Sequence, residues 1–183
     1  MRSPEQKVNI SSNHFEIRRR LVSLIAETTS SLNVGAAFVI AAAKFSIKFR
    51  VSLTDPRFAR YLSLVGVHLG LVNDLYSYNK ELRALNNGET SDMINLVDVM
   101  ETVTSLQGID DAKSVAFALK LQLEQQMIDE LEKLRAQGLS DEEWWFLDVV
   151  ASTAVVNVMF CMATSRYGGK AARIGSGSNT AGV

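Results

Sequence analysis

The sequence predicts an all-α helical bundle, and three observations carry that reading. Only Pro4 and Pro56 interrupt 183 residues, so little stops long helices from forming. No run alternates apolar and polar residues with period two for long enough to build a half-buried strand. Apolar residues instead recur at helical spacing between clear start and stop signals. Apolar residues make up 47% of the chain, which is enough to fill the core of one domain at this length.

Each element follows from local chemistry. Residues 1–14 are polar and read as an irregular N-terminal segment. A helix is expected from Phe15, interrupted around Thr28–Asn33, and a second apolar stretch covers Val34–Phe49. Thr54-Asp55-Pro56 is a helix start, because Thr or Asp can cap and proline suits the first turn. That helix runs through Tyr61, Leu64, His68, Leu71 and Leu75 to Leu85, and Asn86-Asn87-Gly88 stops it. Asp92–Val103 reads as a short helix. Gly108 then breaks the chain, with Asp110-Asp111 as expected caps for a charged amphipathic run over Ala112–Ala136. Gly138 ends this run, and Ser140-Asp141-Glu142-Glu143 resembles a capping box. The last helix, Trp144–Met162, is apolar nearly all round and is therefore expected at the centre of the bundle. Residues 168–183, rich in glycine and serine, read as a flexible tail or linker.

Composition excludes several functions. A formal net charge of −1 and a pI near 6.1 leave no basic excess for holding nucleic acid. One cysteine, Cys161, cannot build a disulfide framework or a cysteine zinc site. His14 and His68 are too far apart in the chain to form a local ligand motif, and each reads as an ordinary surface or core histidine. No apolar signal segment opens the sequence, and no membrane span is expected: Val34–Ala43 is too short, and Phe146–Ala163 carries Asp148 and Asn157. The expected setting is the cytoplasm.

One stretch carries chemistry: Leu71–Glu81, LVNDLYSYNKE. Asn73, Ser77 and Glu81 are spaced i, i+4, i+8, so they fall within about 80° on one helix face, spread over about 12 Å. An amide oxygen, a hydroxyl and a carboxylate are hard oxygen donors that suit Mg²⁺, which fills the rest of its octahedron with water and substrate phosphate. Lys80 sits about 20° from Asn73 on the same wheel, a cation suited to a diphosphate. Leu62, Gly66, Leu69 and Gly70 continue this face upstream as a stripe of small and apolar residues. Each mid-helix glycine costs roughly 1 kcal/mol relative to alanine, so the pair asks for close packing or room for a bulky ligand. By spacing alone, a solvated polar face is the commoner reading of Asn73, Ser77 and Glu81.

NDLYSYNKE resembles the second metal-binding motif of class I terpene synthases, Asn/Asp-Asp-x-x-Ser/Thr-x-x-x-Glu. Asn73, Ser77 and Glu81 match its three magnesium ligands, and Lys80 matches the diphosphate-contacting lysine of many fungal members. Asn157 followed by Arg166-Tyr167 is similar to the Asn…Arg-Tyr ending of that family, where arginine and tyrosine meet the diphosphate. The resemblance spans Arg57–Tyr167. It implies a class I terpenoid-synthase bundle, a linear isoprenyl diphosphate substrate of C15, C20 or C25, and ionisation assisted by three Mg²⁺. The resulting carbocation would cyclise against an aromatic-lined pocket. Tyr76, Phe146 and Phe160 are candidates for that lining, with core packing the better reading of each.

Two departures accompany the resemblance. The family's aspartate-rich motif is missing ahead of Asn73, and Asp110-Asp111 comes too late in the chain to replace it. Protein ligands for only one of three Mg²⁺ are therefore visible. The resemblance implies a partial synthase domain over residues 15–167, incomplete at its N-terminus. The family's diphosphate-sensing arginine stands shortly before a glycine that Gly35 matches, yet Ser30–Val34 contains no arginine. Deleting Leu21–Ser31 would leave FEIRRRLNVG and place Arg20 there. Our hypothesis is that Leu21–Ser31 is an insertion; a misplaced splice junction is one origin for it, and a transcript that retains the segment would exclude that origin. Two alternatives to a cyclase follow: a catalytically silent fragment that self-associates as a helical module, or part of a bifunctional cyclase and prenyltransferase joined through the tail.

Overall fold

The computed structural model describes residues 35–50, 52–104 and 108–167. Arg20, the Leu21–Ser31 segment, the first expected helix and the 168–183 tail lie outside the described residues. The described residues form five α-helices and no strand: α1 (Gly35–Ser46), α2 (Pro56–Asn86), α3 (Leu96–Thr104), α4 (Ile109–Ala136) and α5 (Asp141–Ala163). A short 3-10 turn, Ser165–Tyr167, follows α5. The all-α expectation holds.

α2 begins where the capping chemistry places it. The Asp55 carboxylate accepts the Arg57 backbone N–H at 2.9 Å, and Pro56 opens the first turn. It ends as the Asn87 N–H closes onto the Arg83 carbonyl and Gly88 takes a left-handed φ of +70°. Between Phe58 and Tyr78 α2 buries residues around its whole circumference, so it is the central helix. α4 runs antiparallel to it, as Arg60–Glu130, His68–Glu124 and Asn79–Lys113 meet in descending order. α5 runs parallel to α2, because Phe146 meets Phe58 and Asn157 reaches the Leu69 carbonyl.

Two apolar clusters hold the bundle. One packs Ile40, Phe49, Phe58, Val65, Leu134, Phe146 and Val150 around the N-terminal half of α2. In it, Phe49 stacks on Phe146 with ring centroids 4.2 Å apart. The other joins Leu71, Val72, Leu75, Leu96, Val97, Met100, Cys161 and Tyr167 around the C-terminal half. A fully buried Phe such as Phe146 contributes about 2–3 kcal/mol by apolar transfer.

Four expectations change. α5 is not central: it lays Phe146, Leu147, Val150, Ala154 and Cys161 against the bundle and leaves Trp145, Val155, Val156, Met159 and Phe160 exposed. α3 starts at Leu96 instead of Asp92, because the Asn95 side chain accepts the Val97 N–H at 3.0 Å while Thr90 ties back to the Asp92 carbonyl. Asp110 and Asp111 are not caps. Gly108 holds the N-cap position, and the two carboxylates sit in the first turn of α4, where the helix dipole favours them. The exclusion of a membrane span also loses part of its basis, since α5 has 23 residues and a mean hydropathy of 1.9 over its most apolar window, enough to cross a membrane by length and composition. The capping box at Ser140 and Glu143 forms as expected, with both reciprocal hydrogen bonds present.

Candidate functional site

Asn73, Ser77 and Glu81 occupy three successive turns of α2, with Ser77 buried and the other two half-buried. The flanking pair is held by residues from elsewhere in the chain. The Tyr167 hydroxyl, carried by the turn after α5, donates to Asn73 Oδ1 at 2.9 Å. The Asn95 amide donates to Glu81 Oε2 at 2.9 Å and to the Asp74 carbonyl at 3.0 Å. Between them the Ser77 hydroxyl is buried and has no hydrogen-bond partner in the structure. A buried hydroxyl without a partner costs about 1–3 kcal/mol, so an additional oxygen-seeking group at this position has a physical reason to bind. The donor chemistry, three hard oxygens including one carboxylate, fits a single Mg²⁺. Among the described residues no group of three or more His, Cys, Asp or Glu comes together as a metal cluster.

Asp74 and Asn95 are functional neighbours that spacing alone did not single out. Asp74 is 2% exposed, and its carboxylate accepts the Leu96 N–H at 2.9 Å, fixing α3 onto α2. Burial pushes its carboxyl up to about 7, opposed by the Leu96 N–H and reinforced by the negative charge of Glu81. Asn95 caps α3 and orients Glu81 with the same side chain. Its place just before an apolar run was the readable signal for the cap, whereas its reach to Glu81 was not encoded locally.

Arg166 is exposed and stands over the Tyr167 ring, 5.7 Å from its centroid, so the ring that binds Asn73 also carries a cation beside the site. Burial raises the Tyr167 hydroxyl above its ordinary range, which keeps it protonated and able to donate to Asn73. Lys80 is half-buried on α2, one residue before Glu81. Arg20 lies outside the described residues.

An apolar groove leads away from this face. Its polar end, about 270 Å³, is lined by Gly35, Ala36, Val39, Gly70, Asn73 and Asn157. It shares Val39, Leu69 and Asn157 with a groove of about 430 Å³ that Val149, Thr153, Val156 and Phe160 continue along α5. Gly70 therefore lies at a ligand-sized space, which gives one of the two mid-helix glycines its reason. Of the three candidate aromatics, Phe146 is core and Tyr76 is buried in the second cluster, as expected. Phe160 departs from that expectation: it is half-exposed, lines the groove and meets Tyr167 edge to face at 6.1 Å.

No family model matches this chain, and no curated protein is similar to it at a significant level.

Proposed function

We propose that this chain is a class I terpene cyclase, or the C-terminal portion of one, acting on a linear isoprenyl diphosphate. The observation that carries the reading is the Tyr167–Asn73 hydrogen bond, which brings the Arg166-Tyr167 pair onto the Asn73, Ser77, Glu81 face from 94 positions away. Spacing along one helix cannot produce that convergence. The unpartnered Ser77 hydroxyl and the apolar groove beginning at Asn73 support the same reading.

In this reading Asn73, Ser77 and Glu81 hold one Mg²⁺, which when bound offsets negative charge on the diphosphate as its bond to carbon breaks. The protein's own groups do the remaining work. Tyr167 fixes the Asn73 amide and Asn95 fixes the Glu81 carboxylate, so both oxygens are oriented before substrate arrives. Lys80 and Arg166 supply cations for the diphosphate oxygens. The groove takes the isoprenoid chain, and Phe160 presents a ring whose face attracts positive charge developing there. Water exclusion protects such a cation, and the exposed Val156 and Phe160 mark the side where this groove meets solvent.

Incubating the purified chain with Mg²⁺ and C10, C15, C20 or C25 diphosphates tests the proposal. Magnesium-dependent release of diphosphate with a terpene product is the expected result. A chain that neither releases nor binds diphosphate would overturn it. Binding without turnover would select the second reading, a silent helical module, which the exposed apolar face of α5 favours.

A further inference from the structure

We propose that Asn157 is a catalytic residue whose amide oxygen meets the carbon that ionises, an inference that rests on the cyclase reading above. The polar space and the apolar groove share three lining residues, Val39, Leu69 and Asn157. Asn157 is the one polar side chain among them. The diphosphate belongs at the Asn73 end, and the isoprenoid chain lies along Val149, Val156 and Phe160. The bond that joins them therefore crosses the junction where Asn157 stands.

The amide is held so that its oxygen remains for a ligand. Its Nδ2 donates to the Leu69 carbonyl of α2 at 3.4 Å, across 88 positions of sequence. Its Oδ1 receives the Cys161 thiol, a weak donor, at 3.9 Å. Burial pushes the Cys161 thiol up, so its hydrogen stays in place. An amide oxygen has two lone pairs, and a weak donor on one leaves the other open. Ser152 and Thr153 are placed differently. They line the apolar groove alone, and their hydroxyls donate to carbonyls of α5 itself, Asp148 at 2.8 Å and Val150 at 2.7 Å.

On ionisation the carbon–oxygen bond breaks, and both its electrons leave with the diphosphate. Positive charge then spreads over the allylic carbons beside that bond. The Asn157 carbonyl turns the negative end of its dipole to this charge, forms no bond and takes no proton. A fixed dipole in an apolar groove acts more strongly than one in water, and it needs no reorganisation when the charge appears.

Calorimetric binding of two ligands to the full chain, with Mg²⁺ and inorganic diphosphate present, tests the proposal. One is a C15 or C20 isoprenyl chain ending in trimethylammonium, a fixed positive charge beside the first carbon. The other is its uncharged tert-butyl counterpart. The natural chain should prefer the charged ligand. That preference should fall by about tenfold in Asn157→Leu, which keeps the size of the side chain and removes its dipole. It should rise in Asn157→Asp, where a full negative charge replaces the dipole. No folding defect imitates that rise, so Asn157→Asp keeps the test decisive if Asn157→Leu unfolds. A residue that only ties α5 to α2 would weaken both ligands together and leave the preference unchanged in both variants. That result would overturn the proposal while magnesium-dependent diphosphate binding, and with it the cyclase reading, stands. A natural chain that binds neither ligand, or binds both equally, would also overturn it. A chain that binds no diphosphate would overturn the cyclase reading and this inference together.

Discussion

Replacing Asp74 with asparagine should change how stability depends on pH, in a direction fixed by where the side chain sits. Asp74 is 2% exposed, its carboxyl is pushed up to about 7 from an ordinary 3.8, and burial is the largest cause. The folded chain therefore binds a proton that the unfolded chain has released between about pH 4 and pH 7. Unfolding free energy must fall as pH rises through that window, because the unfolded state holds fewer protons there. Between pH 5 and pH 8 the window spans about two pH units, which amounts to about 3 kcal/mol at 1.36 kcal/mol per unit. An asparagine at this position would titrate nowhere, and its amide oxygen can still accept the Leu96 N–H. Urea unfolding of both chains at pH 5 and pH 8 measures the effect. Asp74→Asn should gain about 2–3 kcal/mol on the natural chain between the two conditions, with unchanged m-values. Taking the difference removes His68, whose burial lowers its pKa and whose stabilising effect is lost in the opposite direction, as pH falls below its ordinary value. Parallel stability profiles for the two chains would refute the argument that a buried carboxyl is kept protonated here.

Three further outcomes follow from named contacts. Asn95→Ala removes the α3 cap and the donor to Glu81 and the Asp74 carbonyl, so it should cost about 2–4 kcal/mol, and an unshifted melting temperature would contradict this. Phe146→Ala empties a position stacked on Phe49 and edge-on to Phe58, with an expected loss of about 3–5 kcal/mol in denaturant unfolding. Tyr167→Phe deletes one hydrogen bond to Asn73 while keeping the ring, so stability should drop by only about 1 kcal/mol. Its affinity for magnesium diphosphate, read by calorimetry, should fall more than that stability change accounts for.

What was legible in the sequence was what neighbouring residues decide among themselves. Asp55-Pro56, Asn87-Gly88, Gly138 and the Ser140…Glu143 box mark helix ends through hydrogen bonds and φ angles within four residues, and each is found in the structure. The common face of Asn73, Ser77 and Glu81 is equally local. The centre of the bundle was not legible. α5 has the more uniformly apolar sequence, but α2 is central because its polar groups find distant partners: Asp74 at Leu96, Asn79 at Lys113, Asn73 at Tyr167. Periodicity reports how wide an apolar face is and says nothing about which neighbour covers it. Asn95 shows the same limit, since its capping role is readable from the next two residues, whereas its hold on Glu81 depends on how α3 docks against α2.

The central claim is that Asn73, Ser77 and Glu81 hold a magnesium diphosphate with help from Arg166. Isothermal titration of the chain with inorganic diphosphate, with and without Mg²⁺, tests it most directly. The account predicts binding that requires Mg²⁺ and is lost in Asn73→Ala and in Glu81→Ala, with Arg166→Ala weakened. Binding that ignores Mg²⁺, or that survives both Asn73→Ala and Glu81→Ala, would contradict it.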